Sequence, residues 1–269
     1  MPGTTPPARG PVSAIALMYH ALARDAQPEG QDPHYTLPLA RFGRQLDLIR
    51  QHAGGAGSAR DWLQGGDAQP VLLTFDDGHI SNHRLAFPAL RERGMRADFF
   101  VNPALVGQRN FAGWPELREM ADAGMSIQSH GYDHVYLTAL SETELRRSLR
   151  AARREIEDRI GAPVSLLAPP GGRMPRNLAA VARECGYERV LTSQPGRIRR
   201  RDGVAPLPRM AVTTGLGEAT LRAWIGAGGR GILRERMRYG MLAWAKRALG
   251  DERYEQVRAR ALNTRKGRA

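Results

Sequence analysis

The chain has 269 residues, 42% apolar and 25% charged, which is material for one large α/β domain and not for a disordered chain. Its one cysteine, Cys185, excludes an intrachain disulfide framework and a thiolate zinc cluster, and no run of about 18 apolar residues offers a transmembrane helix. Lys and Arg number 40 against 27 Asp and Glu, a net charge of +13, which fits either an anionic partner or a solvated basic surface.

In chain order, Met1 to Pro11 is rich in Pro, Gly and Thr and is expected to be disordered. Ala14 to Tyr19 is a first buried strand that ends at His20. Leu39 to His52 has Phe42, Leu46 and Ile49 at helical spacing, and Gly54 to Ser58 is a loop. Pro70 to Phe75 is a second short apolar strand that stops at Asp76-Asp77-Gly78. A helix from Leu85 to Arg93 closes at Gly94. A third strand covers Ala97 to Val101. The helix Trp114 to Ala123 closes at Gly124 and leads into a fourth strand, Met125 to Ser129, running into His130. Ser141 and Glu144 form a capping box for a helix that reaches Ile160. A fifth strand, Val164 to Ala168, meets Pro169-Pro170-Gly171-Gly172. A helix from Asn177 to Glu184 closes at Gly186, and strands at Arg189 to Thr192 and Met210 to Thr213 follow. Short apolar strands alternating with helices predict a parallel sheet covered by helices.

The polar residues Asp76, Asp77, His130 and His20 all fall at C-terminal strand ends, the edge on which such sheets and barrels place their active sites. Asp-Asp-Gly alone is most often a turn. Two adjacent carboxylates resist being ionised together unless a cation intervenes, so a metal on one would leave the other free as a base. His130 and His134 stand four residues apart, a spacing that can bring both imidazoles to one divalent ion. With Asp77 they make a His/His/carboxylate set with open positions, which is catalytic rather than structural. Zinc is the first choice; cobalt, nickel, manganese and iron also suit these ligands.

Thr74-Phe75-Asp76-Asp77-Gly78, then Ser129-His130 to His134, then Ala168-Pro169-Pro170-Gly171-Gly172 resemble the first three motifs of polysaccharide deacetylases. These are the NodB-homology domains of carbohydrate esterase family four. The resemblance covers roughly Ala14 to Val212. It implies a deformed (β/α)7 barrel with a metal held by Asp77, His130 and His134, and Asp76 as the general base. It also implies substrate contacts from Pro169, Pro170, Gly171 and Tyr132. The expected reaction is removal of N-acetyl groups from N-acetylhexosamine units, in a surface or exopolysaccharide pathway. The alternatives are an O-acetyl esterase and a catalytically weak sugar-binding relative.

Two departures matter. The arginine that many members carry before the proline pair is here Ala168. Leu167 to Gly172 is closer to the branch acting on poly-N-acetylglucosamine, in which a later Pro-Arg occurs, so Pro208-Arg209 is expected to supply the cation. No histidine follows the third motif, so His20 is the candidate for the missing general acid.

The chain divides, on this reading, into residues 1–11, a deacetylase domain over 12–215, and a basic helical extension over 216–269. From Arg230 onward twelve Lys/Arg face four Asp/Glu. Leu233, Met237, Met241, Ala245 and Leu249 recur every fourth residue, with Trp244 nearby, and Arg234, Arg238, Lys246 and Arg247 lie off that face. This face is expected either to close over the barrel or to lie on an anionic membrane. Nucleic acid is not expected, because no binding module or interleaved aromatics accompany the charge. With no signal peptide evident, the expected location is the cytoplasm or the inner membrane face.

Overall fold

A computed structural model describes residues 13–24, 31–66, 69–199, 202–226 and 230–249, with the side chains of 230 and 242–249 excepted. The expected disordered stretch 1–11 and residues 250–269 of the basic tail lie outside the described residues, as do the side chains of Trp244, Ala245, Lys246, Arg247 and Leu249.

The strands are β1 (Ser13–Tyr19), β2 (Leu22–Ala23), β3 (Leu37–Pro38), β4 (Val71–Phe75), β5 (Asp98–Val101), β6 (Ser126–Ser129), β7 (Leu166–Leu167), β8 (Arg189–Val190), β9 (Ile198–Arg199) and β10 (Met210–Ala211). The helices are α1 (Leu39–Ala53), α2 (Ala59–Leu63), α3 (Phe87–Glu92), α4 (Trp114–Asp122), α5 (Glu142–Ile160), α6 (Leu178–Glu184), α7 (Glu218–Ile225) and α8 (Arg230–Leu249). Seven strands run parallel in the order β10-β1-β4-β5-β6-β7-β8, with β9 antiparallel on the start of β1. A parallel bridge between Leu191 and Leu207 links the end of β8 to the segment entering β10, so the sheet curls toward closure as a deformed barrel.

Strand alternation sorts the core into two layers. Ala14 and Ala16 of β1, Leu72 of β4 and Phe100 of β5 pack with Leu166, Leu191 and Leu207 inside the barrel. Ile15, Leu17 and Tyr19, with Val71, Leu73 and Phe75, face the helices instead. Tyr19, Phe75 and Phe99 stack there at 5.2 and 4.8 Å between ring centres, and Phe42 of α1 meets Phe75 edge-on.

The expected capping box is present: Glu144 N–H donates to Ser141 Oγ, and Glu144 Oε2 accepts from Ser141 N–H at 2.9 Å. Gly94, Gly124 and Gly186 follow α3, α4 and α6 with φ of 63°, 87° and 92°, a region closed to most side chains. The expected helix from Leu85 instead begins as a wider turn over Asn82–Ala86 that passes into α3. α2, the short strands β2, β3 and β9, and the start of α7 carry too few residues for periodicity to reveal.

α8 packs against α7 through Gly231, which lies beside Ala223 and Trp224, and through buried Ile232. The face expected to close over the barrel does not do so over its described residues: Leu233, Met237 and Met241 are 60%, 65% and 68% exposed. The fourfold spacing fixed one face of the helix, but Ile232, roughly a quarter-turn away, is the side that meets α7. No helix among the described residues is long and apolar enough to cross a membrane.

Candidate active site

The strand phase that fills the barrel interior also aims the polar residues at its mouth. Ala14, Ala16 and Met18 continue by twos to His20; Leu72 and Thr74 continue to Asp76; Ser126 and Gln128 continue to His130. Register does the rest. Tyr19 pairs with Phe75, which sets His20 beside Asp76, and the Asp76 N–H bonds the Tyr19 carbonyl at 3.0 Å. Val101 pairs with Ser129, and the His130 N–H donates to the Val101 carbonyl at 2.8 Å.

Asp77 falls in the opposite phase and would point away in a continuing strand. Its φ of +73° turns the chain, and Gly78 follows at +68°. His134 reaches the same place with φ of +64°. Of three non-glycine residues with positive φ among those described, Asp77 and His134 are two, a conformation that the surrounding fold must hold in place. The result is one carboxylate oxygen, Asp77 Oδ1, at 3.2 Å from Nε2 of both His130 and His134. Each of the three residues offers an atom within 4.8 Å of the other two. One oxygen and two imidazole nitrogens converging in this way suit a divalent cation. Burial pushes the Asp77 carboxyl up, but hydrogen bonds from His130 and His134 and the charge of His20 outweigh it and hold it well below the usual range. The hydrogen bond to Asp77 in turn raises His134.

Asp76 is buried and faces Arg209, itself buried and entering from just before β10. The guanidinium donates Nη1 to Oδ1 at 2.7 Å and Nη2 to Oδ2 at 2.8 Å, a two-pronged pair. Its Nε donates to the Thr192 carbonyl at 3.2 Å, and it lies 5.4 Å above the Phe100 ring. Burial pushes the Asp76 carboxyl up; the charge of Arg209, helped by His130 and His20, more than reverses it, and the carboxyl stays ionised below its ordinary value.

Asp76, Asp77, His130 and His134 line a cleft of about 250 Å³ together with His20, Tyr35, Tyr136, Gly171 and Ser193. His20 packs on Tyr35 at 4.5 Å, and its backbone carbonyl accepts the Asn82 side-chain amide at 2.7 Å. The Asn102 amide donates to the His130 carbonyl at 2.6 Å. Behind Ser129, the Tyr187 hydroxyl bridges Ser129 Oγ at 3.0 Å and the Leu149 carbonyl of α5 at 2.9 Å.

Of the expected substrate contacts, Gly171 lines the cleft. Pro169 and Pro170 are buried, and Pro170 packs beneath Gly131, so they shape the site from behind. Tyr132 stands outside the residues that line this cleft, with its hydroxyl turned to Glu155 of α5. Tyr136 stands at the cleft instead, under the Arg173 guanidinium at 4.4 Å from its ring centre. Tyr35, Tyr136 and Ser193 come from three separate loops, and no sequence spacing connects them.

The sequence profile described as polysaccharide deacetylase matches residues 64–190. A Bacillus subtilis relative, named as a putative polysaccharide deacetylase, is 29% identical over 155 residues, 58% of this chain and 56% of that protein. A peptidoglycan-N-acetylglucosamine deacetylase of Bacillus cereus is 28% identical over 134 residues, 49% of this chain and 60% of that one. The chain thus spans a little over half the length of these two relatives. In fold it is similar to a Streptococcus pyogenes deacetylase solved with acetate, at TM-score 0.72 and 21% identity over 80% of this chain and 99% of that one. It is also similar to IcaB of Ammonifex degensii, at TM-score 0.66 and 24% identity over 81% of this chain and 99% of that one.

Proposed function

Because the chain carries a polysaccharide deacetylase domain, we propose that it hydrolyses the acetamide of N-acetylhexosamine units in a glycan, releasing acetate and leaving a free amine. The observation that carries the reading is the placement of Asp76, paired with Arg209, beside the Asp77, His130 and His134 set on one barrel rim.

Asp77, His130 and His134 would hold a divalent cation, zinc being the first choice. When bound, it supplies Lewis acidity that lowers the pKa of water and draws charge from the acetamide carbonyl. Asp76 accepts the proton of the attacking water as carbon–oxygen bond formation begins. Arg209 occupies one lone-pair direction on each Asp76 oxygen, which fixes the carboxylate and leaves a second direction open on each. As the carbon–nitrogen bond of the tetrahedral adduct breaks, the departing amine needs a proton, and His20, at the strand end beside Asp76, would deliver it. The cleft, at the small end for ligand sites, suits about one sugar ring between Tyr35 and Tyr136.

The relative named for peptidoglycan N-acetylglucosamine favours an N-acetylglucosamine polymer as substrate. The test is acetate release from N-acetylglucosamine oligomers, with and without chelator, beside an O-acetylated sugar. Release from the N-acetyl substrate that stops on chelation and on His130→Ala supports the reading. Release from the O-acetyl sugar alone would make the chain an esterase. Sugar binding with no release from either would make it a binding relative.

A further inference from the structure

We infer that α8 docks this chain on an anionic phospholipid surface. Two independent features of the same helix point there.

The first is an apolar stripe that no described residue covers. Leu233, Met237 and Met241 lie along one side of α8, each more than half exposed. Exposed arginines border it: Arg234 and Arg238 on one side, Arg236 on the other. Arg238 also reaches Glu235, with Nε to Oε1 at 2.9 Å. An apolar strip between rows of arginine is the arrangement of a helix lying in a bilayer interface. Its apolar residues enter the acyl boundary while the long arginine stems carry their charges out to the phosphates.

The second is a cavity of about 430 Å³ between α8 and the segment after β8. Arg197, Arg199 and Arg236 line it with Tyr239, and no acidic side chain does. Arg197 is anchored, donating to the Trp224 and Gly226 carbonyls at the end of α7. A phosphate headgroup seated there would meet Arg199 and Arg236 at the edge of the stripe. Charge favours the same occupant: α8 carries six Lys/Arg against one Glu, within a chain of +13. A second copy of so basic a chain would instead bring like charges together.

The catalytic cleft lies one loop away. Ser193 faces the cleft, while its neighbours Thr192 and Gln194 face the arginine cavity. Docking is nevertheless independent of the deacetylase reading, because it is measured without turnover.

The experiment is flotation of the full chain with phosphatidylglycerol-containing vesicles and with neutral phosphatidylcholine vesicles, at low and high salt. The expected result is binding to the anionic vesicles only, weakened by salt. The triple variant Leu233→Ser, Met237→Ser, Met241→Ser changes exposed positions, so it should keep the wild-type circular dichroism and lose at least about tenfold in partitioning. Arg199→Glu with Arg236→Glu should lose roughly 25-fold or more, since each basic residue near such a surface is worth about fivefold. Indifference of the wild type to anionic vesicles, or equal binding by the folded triple variant, would overturn the inference. So would a wild-type dimer that the triple variant converts to monomer, which would give the stripe to a second copy.

Discussion

Arg209 and Asp76 are 133 residues apart, both buried, and joined by two hydrogen bonds of 2.7 and 2.8 Å. The arginine holds the carboxylate ionised in a place where burial alone would protonate it. Its substitution therefore reaches both stability and pH dependence. Arg209→Ala strands a buried charge and is expected to destabilise the fold by about 3–5 kcal/mol. Arg209→Lys keeps the charge but loses the fork. It should fold, turn over more slowly, and move the acidic limb of its pH–rate profile upward, because Asp76 then takes a proton more readily. A limb in the wild-type position would separate Arg209 from the ionisation of Asp76.

The adjacent aspartates should divide their roles. Asp76→Asn is expected to retain bound metal and lose turnover by roughly a hundredfold or more, the range for removing a general base. Asp77→Asn should weaken the metal itself. Metal content by elemental analysis, beside kcat for each variant, decides; the reverse pattern would exchange the assignments.

Metal uptake should release protons. His134 holds its proton more tightly than an ordinary imidazole because Asp77 accepts from it. That proton must leave before Nε2 can ligate, so affinity should fall as pH is lowered. Calorimetry of zinc binding in buffers of different ionisation enthalpy checks this. About one ion should bind per chain, and His134→Ala should abolish most of the proton release. Binding independent of pH between 5.5 and 7.5 would remove His134 from the ligand set.

At the other end of the barrel, Asp98 opens β5 inside the core and accepts the Ala59 N–H at 2.5 Å and the Arg60 N–H at 3.3 Å, docking the start of α2. Burial lifts its carboxyl to about 7, against those hydrogen bonds and one from Ser126. The unfolded value is near 3.9. Between about pH 4 and 7 the folded chain therefore binds more protons than the unfolded one, and stability falls as pH rises through that window, then levels. Asp98→Asn removes the titrating group, so the urea midpoint should decline less between pH 5 and 8 than in the wild type. Equal declines would place the titration elsewhere.

Local order in the sequence determined much of this protein. Short apolar runs gave the parallel strands, and Ser141 with Glu144 gave the start of α5. Strand ends marked His20, Asp76 and His130, because a two-residue period carries on past the last paired residue and so states which way a side chain points. Pro208-Arg209 was found only through likeness to a family branch, since nothing local in that dipeptide names Asp76 as its partner. Tertiary structure alone decided the remainder. Asp77 and His134 reach one point through left-handed backbone that their neighbours impose, and no residue pattern encodes that turn for aspartate or histidine. Tyr136 lines the cleft while the Tyr132 hydroxyl turns to Glu155 of α5, an arrangement that no spacing in the sequence states. The apolar stripe of α8 was visible as a period, but its exposure was not. A period fixes which residues share a face; what covers that face depends on contacts made across the whole fold, and here α7 takes Ile232 and leaves Leu233, Met237 and Met241 outside.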